Sequence, residues 1–302
     1  MTDQRTRRQF LKDGALILTA GAWAGGVDLA FGATPAAADD PKPALRLGVL
    51  TDCHYADREA AGTRIYRESL AKVREAVDHF NNSGASLAVE LGDFIDAAPE
   101  VAQEIGYLEA IEKEYARFRG DRHYVLGNHC VDTLTKQEFM DHCAMKAAHY
   151  SFDRGDFHFI VLDACYRKDG VGYGRQNQDW TDANIPPAEL EWLAADLTAT
   201  NKPTLAFVHQ RLDVDDHYGV RNRAEVRKVL ADSGRVLAVF QGHNHVNDHK
   251  LIGGIHYCTL TSVVDGRGSE NNAYALVDLY PDGSLRIDGF RKQQDYQWKA
   301  AS

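Results

Sequence analysis

Cysteine is scarce in this sequence, and its arrangement argues against two common structural uses. The 302 residues include five cysteines, which are scattered, odd in number and without a C-x-x-C pair. Neither a disulfide framework nor a structural zinc knuckle is therefore indicated, although the sequence allows one disulfide.

The body of the chain also lacks a block rich in lysine and arginine. Its formal net charge is -10, from 34 basic and 44 acidic residues. Because nucleic-acid binding depends on clustered positive charge, a nucleic-acid polymer is not an expected partner. With 44% hydrophobic and 10% aromatic residues, the chain can bury a substantial core and fold as a globular protein.

No stretch near the N-terminus is apolar and long enough to predict a transmembrane helix. Arg7 and Arg8 instead precede a mild, Gly/Ala-rich apolar stretch, and three alanines precede Asp39. This order is typical of a twin-arginine (Tat) export signal with a cleavage site, with an amphipathic helix as the alternative. We expect residues 1–38 to be this signal and residues 39–302 to form one domain. The protein would be periplasmic or secreted, without stable membrane insertion after cleavage.

From Leu45 onward, short apolar runs alternate with segments of helical spacing, which predicts an α/β fold. The polar, glycine-containing segment 168–185 is predicted to be a surface loop, and loops of this length are often functional. The predicted helices are 67–80, 101–118 and 186–197. The predicted strands are 45–50, 87–91, 123–126, 150–153, 157–163, 204–209, 236–241, 256–261, 274–279 and 285–290.

Five of the predicted strands end in residue types that bind metal ions. In chain order, these residues are Asp52 and His54, Asp93, Asn128 and His129, His209, and His243 and His245. Each motif alone is weak evidence and could be a solvated loop, but their recurrence at five strand ends indicates a metal site. Carboxylate, amide and imidazole ligands suit Mn, Fe or Zn, and Asp93 could bridge two such ions.

The local spacing predicts how these side chains converge. Residues i and i+2 of an extended chain point to the same side, so Asp52 and His54 would share one face, as would His243 and His245. Glycines directly before three of the motifs would let the backbone turn tightly.

The ordered set D-x-H, GD, GNH, H and GHxH resembles the calcineurin-like metallophosphoesterase superfamily. That resemblance implies a four-layer α-β-β-α sandwich of two mixed sheets flanked by helices. It also implies two metal ions, with these ligands: Asp52, His54, Asp93 and His245 for one ion, and Asp93, Asn128, His209 and His243 for the other. His129 would lie beside the substrate as proton donor or transition-state stabiliser. The implied reaction is hydrolysis of a phosphoester or phosphoanhydride by a hydroxide that bridges the ions.

Four stretches outside the motifs are similar to the manganese-dependent ADP-ribose/CDP-alcohol diphosphatases, a branch of that superfamily. They are residues 62–70, 159–164, 187–193 and 254–282. This similarity implies a nucleoside-diphosphate-linked or phospho-alcohol substrate. The sequence departs from the branch in having D-x-H where D-x-Q is common and GHNH instead of GHTH. The export signal is also foreign to the cytosolic members of the branch.

Further residues are expected to act around the metals. Arginine can grip phosphate through two hydrogen bonds and tyrosine can stack on a base, although both also occur as surface charges or packing residues. The residues expected to bind substrate are Arg64, Tyr66, Arg67 and Arg221, with Tyr173 and Tyr218 as further stacking residues. Asp132 and Asp163 are expected to orient metal-bound imidazoles. The remaining histidines, among them His249, are expected to be ordinary surface, loop or core residues.

Two other functions agree with the same residues. One is a general phosphomonoesterase or phosphodiesterase for phosphate scavenging, and the other is a non-catalytic binding module on this scaffold. Modules that have lost catalysis usually lose ligands, whereas this sequence has every expected ligand and His129. Hydrolysis is therefore favoured, and the expected partners are a small phosphorylated substrate and the Tat export machinery.

Overall fold

Two six-stranded sheets form the centre of the structure within residues 42–299, the part of the chain that the computed structural model describes. The predicted export signal lies outside the described residues. In chain order the strands are β1 (Leu45–Leu50), β2 (Leu87–Glu90), β3 (Asp121–Tyr124), β4 (Tyr150–Arg154), β5 (Phe157–Val161), β6 (Thr204–Phe207), β7 (Val236–Gln241), β8 (Asp248–Ile252), β9 (Ile255–Thr259), β10 (Ala273–Leu279), β11 (Leu285–Arg291) and β12 (Tyr296–Trp298).

Both sheets combine parallel and antiparallel pairs. The first has the strand order β12-β11-β10-β1-β2-β3, in which β1, β2 and β3 are parallel. The second has the order β4-β5-β6-β7-β9-β8, in which β5, β6, β7 and β9 are parallel. The outer strands pair antiparallel. Neighbouring parallel strands end at a shared edge, and the five metal-type motifs follow the parallel strands β1, β2, β3, β6 and β7.

Helices cover the outer face of each sheet. In the described part of the chain they are α1 (Ser69–Asn82), α2 (Val101–Tyr115), α3 (Lys136–His142), α4 (Pro187–Ala199) and α5 (Arg223–Asp232). Three buried cores separate the layers: one beneath α1 to α3, one between the sheets, and one beneath α4 and α5. The predicted four-layer α-β-β-α sandwich is thus confirmed. Within residues 42–299, no helix has the length and apolar character needed to cross a membrane.

The central strands read as continuous apolar runs because both of their faces are buried. In β6, Leu205 and Phe207 enter the core between the sheets, whereas Ala206 belongs to the core beneath α4 and α5. A shift of one residue would exchange these two faces, so the register of β6 is firmly specified. The five cysteines are likewise buried, and all are free thiols.

Every predicted strand and helix is present, with ends that differ by a few residues, but α3, α5, β8 and β12 were not predicted. The start of α3 is a capping box, in which Thr135 and Glu138 each bind the other's backbone amide. The prediction that His249 is an ordinary loop residue is wrong. It lies on the polar edge strand β8, stacks on Trp298 at a ring-centroid distance of 4.8 Å, and approaches His256 within 3.0 Å.

Candidate metal centre

The residues that follow the five strands converge on one site. Three groups of ligand atoms each have all members within 4.8 Å of one another: Asp52, His54 and His245; His54, Asp93 and His129; and Asp93, His209 and His243. Because His54 and Asp93 each belong to two groups, the three groups form one continuous cluster. It joins the ends of strands from both sheets.

Two pairs of imidazole nitrogens mark the two halves of the cluster. In one half, His54 Nε2 lies 3.0 Å from His245 Nε2, and Asp52 Oδ1 lies 3.4 Å from His245 Nε2. In the other half, His243 Nδ1 lies 3.2 Å from His209 Nε2. Ring nitrogens that face one another this closely can serve a shared cation or a shared proton.

Asp93 connects the two halves through a single oxygen. Its Oδ2 lies 3.0 Å from His209 Nε2 and 3.5 Å from His54 Nε2. The other oxygen, Oδ1, accepts a hydrogen bond of 2.8 Å from the backbone N–H of His129. The carboxylate is therefore held in one orientation, with Oδ2 directed at both groups of imidazoles.

Among the buried polar atoms of the site that lack a hydrogen-bond partner in the described structure are Asn128 Oδ1 and His243 Nε2. Leaving such an atom buried and unpaired is unfavourable by about 1–3 kcal/mol. Asn128 borders the same cavity as Asp93 and His243, and a cation there would satisfy its oxygen. The two carboxylates, one amide and four imidazoles thus fit a pair of divalent ions.

The charges of the site favour ionised carboxylates. Burial alone would raise the pKa of the Asp93 carboxyl, but the neighbouring imidazoles of His209, His129 and His54 outweigh burial and hold that pKa well below its usual range. Burial also opposes protonation of His209, yet the charge and hydrogen bond of Asp93 raise its pKa to about 9. Burial and the neighbouring His209 lower the pKa of His243 to about 3. Without metal, the site therefore keeps a proton on His209.

Five of the seven predicted ligands have left-handed backbone conformations. Their φ angles are 52° for Asp52, 43° for His54, 55° for Asp93, 78° for His243 and 62° for His245. Such angles are unfavourable for residues with a side chain and concentrate at functional sites. The pair Asp52 and His54 and the pair His243 and His245 do reach one cluster, as predicted. The predicted cause, an extended chain in which residues i and i+2 point to the same side, is wrong, because these residues are not extended.

Two of the preceding glycines permit close approach between backbone segments. A Cβ on Gly242 would lie 2.1 Å from Thr51 Oγ1 and 2.6 Å from Asp52 Oδ2, and a Cβ on Gly127 would lie 2.2 Å from the backbone nitrogen of Asp93. With no side chain at position 242, the backbone N–H of His243 donates to Asp52 Oδ2 at 3.0 Å. The loop from β7 is thereby tied to the end of β1.

Two acidic residues that were not predicted from the sequence orient the imidazoles. Asp96 Oδ1 lies 3.0 Å from His129 Nδ1, and Asp265 Oδ2 lies 2.7 Å from His245 Nδ1. Asp96 follows Asp93 by three residues, a signal that could have identified it. Asp265 has no such spacing, because it comes from the loop after β9.

The roles predicted for Asp132 and Asp163 are not supported. Asp163 is fully buried, forms an ion pair with Lys136, and accepts from the backbone N–H of Cys165. Asp132 uses its backbone carbonyl to accept from Gln176. Neither carboxylate forms a hydrogen bond with an imidazole among the described residues, and that of Asp163 is instead taken up by Lys136 and Cys165.

A cavity of about 370 Å³ opens over the cluster. It is lined by Arg64, Asp93, Asn128, His129, Trp180, Tyr218, His243, Asn244 and His245. Arg64 is the one predicted substrate residue of the four that lines it, and its guanidinium lies 3.2 Å from Asp96 Oδ2. Trp180 comes from the predicted 168–185 loop and was not singled out by the sequence, whereas Tyr218 was.

The other three predicted substrate residues lie outside this lining. Tyr66 is buried beneath Arg58, whose guanidinium carbon lies 4.0 Å from the tyrosine ring centroid. Arg67 forms ion pairs with Asp57 and Glu59, two acidic side chains of the preceding loop. Arg221 lies 3.3 Å from Asp182. The side chains of these three residues therefore contact neighbouring residues and do not line the cavity.

His129 lies in the cavity with its proton affinity raised. Burial lowers its pKa, but the charges of Asp93 and Asp96 and the hydrogen bond to Asp96 outweigh burial and raise the pKa above its usual value. With Nδ1 bound to Asp96, Nε2 is the ring nitrogen left for a ligand in the cavity.

Comparison with known proteins identifies a matching family model. The model described as "Calcineurin-like phosphoesterase" matches residues 45–247. A manganese-dependent ADP-ribose/CDP-alcohol diphosphatase of Oryza sativa subsp. japonica is 23% identical over 299 aligned residues, which cover 83% of this chain and 92% of the relative. The protein of the same name from Arabidopsis thaliana is 23% identical over 310 residues, covering 84% and 96%.

Solved structures share the fold. The crystal structure of a dimetal phosphatase from Danio rerio has a TM-score of 0.76 and 22% sequence identity, and the match covers 86% of this chain and all of that chain. A purple acid phosphatase from yellow lupin (Lupinus luteus) has a TM-score of 0.59 and 12% identity, covering 84% of this chain and 52% of that one.

Proposed function

The chain belongs to the calcineurin-like phosphoesterase family and is a metal-dependent phosphoester hydrolase, and from that premise we propose that it cleaves a small nucleoside-diphosphate-linked or phospho-alcohol molecule at a two-metal centre. The observation that carries the two-metal proposal is Asp93, whose Oδ2 reaches imidazoles of both halves of the cluster. The names of the similar rice and Arabidopsis proteins, which specify ADP-ribose and CDP-alcohols, support the substrate class.

The proposed ligands are those expected from the sequence, with Asp52, His54, Asp93 and His245 for one ion and Asp93, Asn128, His209 and His243 for the other. When bound, two divalent ions supply Lewis acidity at the phosphoryl oxygens and lower the pKa of a water molecule. Manganese is the proposed metal because these oxygen and nitrogen ligands suit it, and iron and zinc suit the same set. The names of the two plant relatives also specify manganese.

His129 is proposed to donate a proton to the leaving oxygen. A leaving alkoxide or phosphate needs a proton as charge builds up on it. The raised pKa of His129 keeps the imidazole protonated to higher pH, and the hydrogen bond from Nδ1 to Asp96 fixes the ring. Arg64 is proposed to hold a further anionic group of the substrate, since guanidinium binds phosphate well.

We also propose that residues 1–38 direct export by the Tat route and that residues 39–302 are the mature catalytic domain. The motif order around Arg7 and Arg8 supports this proposal. A fusion of residues 1–40 to a reporter should reach the periplasm, and changing Arg7 and Arg8 to lysine should stop it. Unaltered export of the changed fusion would argue against the Tat route.

A substrate panel tests the proposed reaction. Manganese-loaded protein should hydrolyse ADP-ribose and CDP-choline at least tenfold faster than p-nitrophenyl phosphate or its bis ester. A tenfold difference in rate corresponds to a difference of roughly 1.4 kcal/mol in activation free energy. Comparable turnover of simple monoesters would favour a general phosphatase. No turnover of any of the four would contradict hydrolysis and favour a binding module.

The His129→Asn variant tests the proton donor in the same assay. Its turnover should fall by about 10²- to 10⁴-fold, the usual contribution of a general acid, while manganese binding stays as in the unchanged protein. Unchanged turnover would show that His129 has no such role.

A further inference from the structure

The cavity over the cluster has two unlike ends. Arg64 adjoins the half that contains His54 and His245, and its guanidinium is bound to Asp96. Trp180 and Tyr218 adjoin the other half, each with its ring centroid 5.6 Å from that of His243. One end therefore suits an anion and the other an apolar, planar surface.

We propose that Trp180 and Tyr218 form an aromatic shelf that stacks on a planar aromatic ring of the substrate, with a nucleobase as the fitting chemical class. This inference rests on the proposed function, because the ring must be joined to a phosphorus atom at the metal centre. Since the shelf lies against His243, the linker between ring and phosphorus must be short, as a pentose is.

Trp180 has an exposed surface that calls for a covering group. Four large hydrophobic side chains of the described residues are exposed, and among these Trp180, at 41%, is the one aromatic residue. It is also a lining residue of the cavity. An indole face beside a polar metal site is suited to cover an aromatic ring, with a gain beyond simple area burial.

The shelf is held in place before any ligand binds. The Asp179 side chain accepts from the backbone N–H of Thr181 at 2.9 Å, which fixes the turn that carries Trp180. The two loops that supply the shelf are joined by the hydrogen bond from Arg221 N to Ala183 O, 2.8 Å. Such preordering reduces the entropy lost on binding.

The shape of the shelf favours a flat ring over a quaternary ammonium group. The Trp180 and Tyr218 centroids lie 5.6 Å apart with their planes at 42°, so the rings contact each other and leave no slot between them. Recognition of a cation uses several aromatic faces around it.

The test compares the binding of AMP and ribose 5-phosphate, which differ by the base alone. Titration calorimetry on the manganese-loaded protein, with phosphate release monitored to exclude turnover, should show AMP binding about tenfold more tightly, a typical gain from one stacked base. Trp180→Ala should bring the two affinities together by weakening AMP, and Trp180→Phe should retain most of the preference.

Leu251→Ala is the matched control, since Leu251 is an exposed apolar residue on β8 that does not line the cavity. This variant should keep the full preference for AMP. Equal affinities in the unchanged protein, or a preference that survives Trp180→Ala, would overturn the shelf. Tighter binding of phosphocholine than of AMP, abolished by Trp180→Ala, would overturn the choice of a planar ring. Because binding needs no turnover, a protein that binds AMP preferentially but hydrolyses nothing would refute the proposed function and leave the shelf intact.

Discussion

Asp96 is a carboxylate that lies beside two imidazoles with different proposed tasks. Its Oδ1 lies 3.0 Å from His129 Nδ1, and its Oδ2 lies 3.5 Å from Nδ1 of the proposed ligand His54. Partners of this kind fix the orientation of metal-bound imidazoles and raise their basicity. Asp96 thereby links the position of the proton donor to that of the metal centre.

Asp96→Asn should lower kcat by roughly ten- to a hundredfold, as is typical for such partners. The pKa of His129 should also fall, because one of the charges that raise it is lost. The alkaline limb of the pH–rate profile, where activity is lost as His129 loses its proton, should therefore move to lower pH. Measuring kcat against pH for both proteins checks this shift.

Asp132→Asn is the matched control, since the sequence predicted an orienting role for Asp132 and the described structure shows no hydrogen bond from its carboxylate to an imidazole. Its pH–rate profile should shift less than that of Asp96→Asn, because the Asp132 carboxylate acts on His129 through charge alone, without a hydrogen bond. An alkaline limb that shifts equally in both variants would contradict the special position of Asp96.

At the scale of secondary-structure elements, the site depends on how tightly the strand ends approach one another. The loop after β7 passes the end of β1 so closely that a methyl group on Gly242 would lie 2.1 Å from Thr51 Oγ1. Interiors packed this closely tolerate little added volume. The positions of the proposed ligands that follow β1 and β7 therefore depend on the same close contact.

Gly242→Ala should displace Asp52 and weaken manganese binding at least tenfold, with a loss of stability of about 1–3 kcal/mol from overpacking. Gly106→Ala is the control, since Gly106 lies inside α2 with no neighbouring atom within 4 Å of its added Cβ. That change should stabilise the protein by about 0.4–1 kcal/mol and leave metal affinity unchanged. Manganese titration and thermal melting of both variants check these outcomes, and normal metal binding by Gly242→Ala would contradict them.

Most strands, and the residues that converge on the cluster, were predictable from the sequence because the central strands read as apolar runs and five of them end in distinct polar motifs. β8 was not, because it lies at the edge of its sheet and four of its five residues are partly buried. The left-handed backbone angles of Asp52 and His54 could not be predicted from the sequence pattern either. Left-handed angles at these residues are imposed by the converging loops and not by local preference.

At the scale of the whole molecule, the two sheets meet at a titratable contact. His123 on β3, at one end of the first sheet, stacks on Phe152 of β4, at one end of the second, with ring centroids 3.7 Å apart. Burial lowers the pKa of His123 to about 4 from an ordinary value of 6.5. The folded protein therefore keeps this imidazole neutral over a pH range in which the unfolded chain protonates it.

The contribution of His123 to stability should be complete above pH 6.5 and should be lost as pH falls from 6.5 to about 4. Its size is about 3 kcal/mol, since each tenfold change in proton affinity is worth about 1.4 kcal/mol. Urea unfolding of His123→Gln between pH 7.5 and 4 should show a shallower loss of stability than the unchanged protein. His142→Gln, at an exposed histidine, should follow the unchanged protein, and parallel curves for all three would contradict this role.

Residues placed by contacts between distant loops could not be read from the sequence. Trp180 reaches the cavity because its loop is joined to the loop of Tyr218, through the hydrogen bond from Arg221 N to Ala183 O. Asp265 reaches His245 across 20 positions of sequence without a diagnostic spacing. Arg221 and Arg67 carried the right chemistry for phosphate, but nearby acidic residues take up their charge.

Calorimetric titration of the metal-free protein with Mn²⁺ tests the two-metal centre most directly. The unchanged protein should bind two ions per chain. Asp93→Asn should lose both, because Asp93 Oδ2 lies within 3.0 Å of His209 Nε2 and 3.5 Å of His54 Nε2, one in each half of the cluster. A single ion bound at saturation, or two ions still bound by Asp93→Asn, would contradict a centre built around this carboxylate.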